Sequence, residues 1–154
     1  MKRLCTLGLC CLLALSPVPA TALMASNLEL LTQAADAAVR DALERVPLSS
    51  PADGWQVPLL LESQDTHDAN WLVEQLLAEQ LLASGLPITT DATAVEAGAP
   101  RLAYRIVDLG ITGKSRLLSG NVERSCRVTI GLRFSDAGEL VALGEAKAQL
   151  SDVI

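Results

Sequence analysis

The segment that decides the fold is Val122–Phe134, with the sequence VERSCRVTIGLRF. From Cys126 onward every second residue is apolar and the residues between them are mostly polar, a pattern typical of a strand buried on one face. Arg124 falls on the apolar side, and we expect it to reach solvent because it lies near the start of the strand. The inward-facing residues are therefore predicted to be Val122, Cys126, Val128, Ile130, Leu132 and Phe134.

The segments on either side of this strand have the same period of two. Upstream, an apolar set alternates with Arg101, Ala103 and Arg105; its members are Leu102, Tyr104 and Ile106. Downstream, the turn sequence Ser135–Gly138 leads into Leu140–Leu150, which has small residues on one face. These are Ala142, Gly144, Ala146 and Ala148. The pattern predicts a three-stranded antiparallel meander whose last strand packs against something bulky, such as a helix.

Earlier in the chain, strand and helix patterns alternate. Val57–Glu62 is a short apolar run of strand length, and Ala69–Ser84 has the leucine spacing of a helix. Gly85 stands where a helix-terminating glycine belongs, and Leu86–Thr90 is extended. This order predicts a β-α-β unit.

The first helix is predicted over Asn27–Val46, from apolar residues spaced three and four apart. Ser26 or Asn27 can cap its start, and Pro47 ends it. The sequence therefore predicts an α+β fold: an N-terminal helix, then β-α-β, then the antiparallel meander, in one mixed sheet with helices on one face.

The N-terminus has the pattern of a secretory signal peptide. Met1-Lys2-Arg3 is basic, Leu4–Leu15 is uncharged and Ser16–Ala22 ends in small residues. We expect cleavage after Ala22, with Ala25 as the alternative, and no spanning helix afterwards, since the apolar run is shorter than the roughly 20 residues required. An uncleaved anchor is the other interpretation. The predicted divisions are 1–22 signal peptide, 23–55 N-terminal helix and linker, and 56–154 α+β domain, in a periplasmic or secreted protein.

Cysteine usage agrees with export without a disulfide. Cys5, Cys10 and Cys11 lie in the predicted signal peptide, which leaves Cys126 alone in the mature chain. A bacterial lipid-attachment motif has a small residue just before the modified cysteine, whereas Leu9 precedes Cys10. Lipid attachment is therefore disfavoured.

Candidate catalytic residues are few. His67 is the only histidine, and Asp65 and Asp68 flank it in a turn. These three residues could form a metal site or an acid–base pair. The favoured interpretation is that Asp65, Thr66 or Asp68 caps the next helix and that His67 is solvated. An exported hydrolase using His67 is the most remote functional alternative.

Two further motifs are rejected. Cys126 would need His67 as its base to act as a nucleophile, and its place on an apolar strand face predicts a buried thiol. Gly110–Ser115 ends like a phosphate-binding loop, but Asp108 stands where the first glycine is required. We predict no catalytic residues, no metal and no cofactor.

Charge is distributed unevenly along the chain. The segment 101–133 has seven Lys and Arg against Asp108 and Glu123, whereas the whole protein has a formal net charge of −6. Alternation places Arg105, Arg127 and Arg133 on the polar strand face, where neighbouring strands can bring them together. Nucleic acid is excluded as a partner because aromatic platforms are scarce and the mature chain is acidic. A solvated face whose charges pair with the acidic segments remains an equal alternative.

From Gln56 to Asp152 the order of elements resembles periplasmic envelope-assembly domains of the curli-secretion, flagellar outer-membrane and TolB N-terminal type. The residues that carry the resemblance are Val57–Leu61, the helix Trp71–Gly85 ending in a small residue and glycine, and the strand Leu102–Gly110. The resemblance implies a non-catalytic accessory protein that binds a protein partner in envelope assembly. The alternative is a binder of anionic lipid or cell-wall polymer through the basic face.

Overall fold

The structure is a computed structural model that describes residues 20–48, 57–115 and 120–154. Most of the predicted signal peptide, and residues 49–56 of the predicted linker, lie outside the described residues. No helix among the described residues is long and apolar enough to cross a membrane. The helices and strands are α1 (Ala20–Glu44), β1 (Leu59–Ser63), α2 (Asn70–Ala83), β2 (Ile88–Thr89), β3 (Arg101–Ser115), β4 (Val122–Asp136) and β5 (Glu139–Val153).

One five-stranded mixed sheet forms the centre of the fold, with the strand order β2-β1-β3-β4-β5. Strand β1 runs parallel to β2 and to β3, whereas β3, β4 and β5 pair antiparallel. Residues of α1 and α2 share a single hydrophobic cluster with one side of this sheet. The predicted α+β fold, with β-α-β followed by a three-stranded meander and helices on one face, is confirmed.

The register of β3 shifts between Ile106 and Asp108. Before the shift Tyr104 and Ile106 are buried, as predicted; after it Leu109 lies opposite Val128 and packs on the core. The residue between, Val107, is 46% exposed. An extra residue in one strand of a pair reverses which residues face inward, and this is why the sequence pattern stops at Ile106 although the strand continues to Ser115.

Helix α1 begins at Ala20, not at Asn27, so the predicted caps at Ser26 and Asn27 are wrong because the helix runs through both. Its buried stripe is rich in alanine, which lets the helix backbone approach the sheet closely. The fully covered residues are Ala34, Ala35, Ala38, Val39 and Ala42.

Helix α1 lies very close to Gly144 on β5. A Cβ added there would lie 2.9 Å from the Ala42 carbonyl oxygen and 2.9 Å from Val46 Cγ2. Ala146, two residues further on, is buried. The prediction that the small-residue face of the last strand packs against a helix is confirmed.

Helix α2 ends at Ala83 with Ser84 as its C-cap, and the next residue, Gly85, has a φ of +78°, the left-handed conformation that favours glycine. The helix is tied to β3 by Tyr104, whose hydroxyl donates a hydrogen bond to Glu74 Oε2 at 2.9 Å. Burial, followed by this hydrogen bond, raises the pKa of Tyr104. The phenol is therefore neutral and serves as a donor inside the core.

Candidate functional site

The three predicted site residues all lie on the sheet face opposite the helices, called here the outer face. Arg105, Arg127 and Arg133 are exposed. The residue next to each of them in sequence points into the core; these neighbours are Tyr104, Val128 and Leu132, each no more than 2% exposed. The predicted orientation of the three arginines is therefore observed.

Arg105 and Arg133 lie close together. Arg105 is directly opposite Gly131, and Arg133 is two residues further along the same strand, so the two guanidinium groups are diagonal neighbours on one face. They border an open groove of about 340 Å³. Its lining is Gln64, Arg105, Gly131, Leu132, Arg133, Leu143, Gly144 and Glu145; we call it the Arg105–Arg133 groove.

Gly131 forms the floor of this groove. A Cβ added at Gly131 would lie 3.2 Å from Nε of Arg105 and 3.5 Å from Cγ2 of Val107. The Arg105 side chain therefore lies across a strand position that has no side chain.

Arg127 stands apart from the other two. It lies opposite Gly110, and it is six positions before Arg133 on β4, which corresponds to about 20 Å along the strand. Its Nε is 3.6 Å from Oδ2 of Asp108. The structure therefore brings together two of the three predicted residues and pairs the third with a neighbouring carboxylate.

The exposed arginines of the outer face differ in whether a carboxylate lies close to them. Besides the Arg127–Asp108 pair, Arg101 lies 3.7 Å from Glu62. Among the described residues, neither Arg105 nor Arg133 has a carboxylate within 4 Å. The two unpaired cations face the same groove, although the groove also contains Glu145.

Arg124 is buried, with 3% of its side chain exposed, so the prediction that it reaches solvent is wrong. It lies on the core face of β4 directly opposite Asp152 on β5. Its Nε donates to Asp152 Oδ1 at 2.9 Å and its Nη1 donates to Asn27 Oδ1 at 2.8 Å, while Nη2 bonds Asp152 Oδ2. A charge on the inward face can persist only with such partners.

The sequence already indicated that Arg124 faces the core, although we predicted that it reaches solvent. Arg124 is two residues before Cys126, and alternate residues of a strand lie on the same face. An arginine that faces the core requires a carboxylate partner. Asp152 is such a carboxylate, because alternation along β5 places it on the same face as the small residues Ala146 and Ala148. The role of Asn27 could not be found in this way, because it depends on how α1 lies across the sheet.

His67 lies in the turn before α2, and its Nδ1 accepts a hydrogen bond from the N–H of Ala69 at 3.1 Å. The N-cap residue of α2 is Ala69, and it makes no side-chain cap. The prediction that Asp65, Thr66 or Asp68 caps this helix is therefore wrong. Among the described residues, no group of three or more His, Cys, Asp or Glu is placed to hold a metal ion.

Cys126 is fully buried on the core face of β4, and desolvation raises the pKa of its thiol. The prediction of a buried thiol is confirmed. Because the thiolate is the reactive form and His67 is exposed in a turn, this arrangement provides no activated nucleophile.

We expect Cys126 in the folded protein to react with a thiol reagent only as fast as the domain opens, and fully once the domain is unfolded in urea. The measurement is labelling followed by mass spectrometry, with free cysteine as the reference for the intrinsic rate. Complete labelling of the native protein within minutes would contradict the assigned inward face.

No protein-family model matches the sequence, and no curated protein does so either. Three of the solved structures that match part of the chain are bacterial lipoproteins. GNA1162 from Neisseria meningitidis is 16% identical, with a TM-score of 0.42 over 62% of this chain and 81% of that one. A minor lipoprotein from Acinetobacter baumannii is 21% identical, with a TM-score of 0.40 over 62% of this chain and 64% of its own. Rare lipoprotein B from Shewanella oneidensis is 18% identical, with a TM-score of 0.39 over 63% and 69%. The resemblance to curli-secretion, flagellar and TolB-type domains stays a prediction.

Proposed function

We propose that the protein is an exported, non-catalytic accessory protein that binds a protein partner in the cell envelope through the Arg105–Arg133 groove. The observation that carries this proposal is the pair Arg105 and Arg133, which line one groove and have no carboxylate partner in the part of the chain that the structure describes, in a protein whose formal net charge is −6. Exposed cations without partners are available to an anionic ligand at little cost, because no internal ion pair has to break.

The other residues of the groove favour a protein over a lipid headgroup or a charged polymer. Leu143 is 67% exposed at its rim, and Glu145 adds a negative charge beside the two arginines. A mixture of arginine, an apolar side chain and a carboxylate resembles a protein interface, where arginine is enriched. A purely anionic surface would be repelled by Glu145.

Binding to anionic lipid or cell-wall polymer is the second candidate function, favoured by the wider row of cations along the outer face. Arg101 and Arg127 add to Arg105 and Arg133. Both added arginines, however, already face carboxylates on the same sheet. Such a contact would be mainly electrostatic and would weaken steeply as salt rises.

We expect the double substitution Arg105→Glu and Arg133→Glu to abolish capture of the protein's partner from envelope extract, with folding unchanged because both side chains are exposed. The matched control is Arg127→Glu, which reverses an exposed charge on β4, the strand that contains Arg133, outside the groove. Capture is measured by pull-down with the tagged mature protein at low and high salt. Equal capture by the double variant would refute the groove as the binding site.

The same variants distinguish the two functions when they are assayed against vesicles containing phosphatidylglycerol and against cell-wall fragments. Binding to these probes that disappears in high salt, together with no captured protein, would favour the lipid or polymer alternative. A captured protein that persists in high salt supports the proposed function.

Export itself is tested by N-terminal sequencing of protein recovered from the periplasm. We expect a mature chain that begins at Leu23, or at Ser26 if cleavage follows Ala25. Helix α1 would then lose its first three residues, or its first six, and keep Asn27 and the buried alanine stripe. A protein in the cytosolic fraction that still begins at Met1 would refute export.

A further inference from the structure

Strand β5 is an edge strand of the sheet that the described residues form. It spans the 15 residues Glu139–Val153, and among the described residues it pairs only with β4. One side of its backbone therefore presents unpaired N–H and C=O groups, which is a template for pairing with another strand. The opposite edge, β2, has only two residues, so β5 provides a much longer backbone edge for strand pairing than β2 does.

Strand β5 also carries exposed apolar side chains. Four of its large hydrophobic side chains are at least half exposed, and they are Leu140, Val141, Leu143 and Val153. Long exposed edges with apolar side chains associate unless charges or bulges protect them. The charges in the middle of β5 are Glu145 and Lys147, and neither makes an ion pair among the described residues.

We propose that β5 pairs antiparallel with β5 of a second copy of this chain, across a two-fold axis at Ala146, to form a continuous ten-stranded sheet. A two-fold axis perpendicular to a sheet places one residue opposite its own copy and keeps each side chain on its own face. Ala146 is the middle of Glu139–Val153. The register between β4 and β5 shifts at Val141, which leaves a bulge near the start of β5, so regular pairing in this register extends over Ala142–Leu150.

Charge selects this register over its neighbours. With Ala146 at the axis, Glu145 lies opposite Lys147 of the partner subunit, and this happens twice. A register centred on Glu145 or on Lys147 would instead place like charges opposite each other, which is destabilising. Lysine on an edge strand usually prevents pairing, but in this register each lysine meets a carboxylate.

The helix layer is compatible with such a pair. Helix α1 packs on both β4 and β5, so the two copies of α1 would lie roughly two strand spacings apart, about 10 Å. Packed helices are separated by about 8–10 Å. The two copies of α1 would therefore contact each other above the joint sheet and extend the interface beyond the two strands.

The test is sedimentation equilibrium of the mature full-length protein over a wide concentration range. We expect a monomer–dimer equilibrium, weakened at least tenfold by Glu145→Lys and by Lys147→Glu, and restored by the double substitution. An equimolar mixture of the two single variants should dimerise as well. One variant then has lysine at both positions 145 and 147, the other has glutamate at both, and each lysine lies opposite a glutamate. The control is Glu79→Lys on the exposed side of α2, which should dimerise like the wild type.

Circular dichroism checks that every variant is folded, which is expected because all three side chains are exposed. The proposal is overturned if the wild-type protein stays monomeric throughout the range. It is also overturned if the single and double variants dimerise equally, since the contact would then lie elsewhere.

Discussion

Replacing Asp152 with alanine is expected to lower the free energy of unfolding by about 3 kcal/mol, the lower end of the range for breaking a buried ion pair. The reason is that Arg124, only 3% exposed, would be left with a charge and no carboxylate. The measurement is urea unfolding followed by circular dichroism. The loss stays at the lower end because β5 ends one residue later at Val153, so the strand end can open and hydrate the guanidinium group.

Removing the cation should cost less than removing the carboxylate. Arg124→Met keeps an apolar chain on the core face and leaves Asp152, which is 39% exposed, to water. We expect a change within about 1 kcal/mol, since such replacements are often nearly neutral. The matched control is Asp108→Ala, which breaks the exposed pair with Arg127 and should change stability by less than about 1 kcal/mol. Equal losses for Asp152→Ala and Asp108→Ala would contradict the burial of Arg124.

The second large effect is expected at Gly144, where Gly144→Val should lower the free energy of unfolding by about 3 kcal/mol. The added Cβ would lie 2.9 Å from the Ala42 carbonyl oxygen. A backbone oxygen of a helix cannot move alone, so α1 would have to shift as a unit and lose contact with its neighbours. Thermal and urea unfolding would measure the loss.

Gly131→Ala is the control for this prediction. It places the same Cβ as Gly144→Ala would, but on the neighbouring strand, where the closest atom is Nε of the flexible Arg105 side chain at 3.2 Å. We expect the stability to change by less than about 0.5 kcal/mol, as for most surface substitutions. If Gly144→Ala were as mild as Gly131→Ala, the close approach of α1 to β5 would be wrong.

The fold and the candidate site differ in how far the sequence predicted them. The apolar alternation of β4 and the leucine spacing of α2 predicted the elements because these patterns depend only on the local repeat of a strand or helix. The grouping of Arg105, Arg127 and Arg133 needed the register between strands as well. That register places Arg105 beside Arg133 and brings Arg127 within ion-pair distance of Asp108. The register cannot be read from the pattern of any single strand.

By itself, the sequence determined which faces of the strands are apolar, where α2 ends and that one mixed sheet holds the core, because burial follows from periodicity and the left-handed φ at Gly85 from the absence of a side chain. Only the tertiary structure decided the partners of individual groups. The register shift at Val107, the approach of α1 to Gly144 and the joining of Arg124 to Asp152 and Asn27 link residues far apart in the chain. Such contacts depend on how whole elements are placed against one another, and the energy of a local segment does not specify that placement.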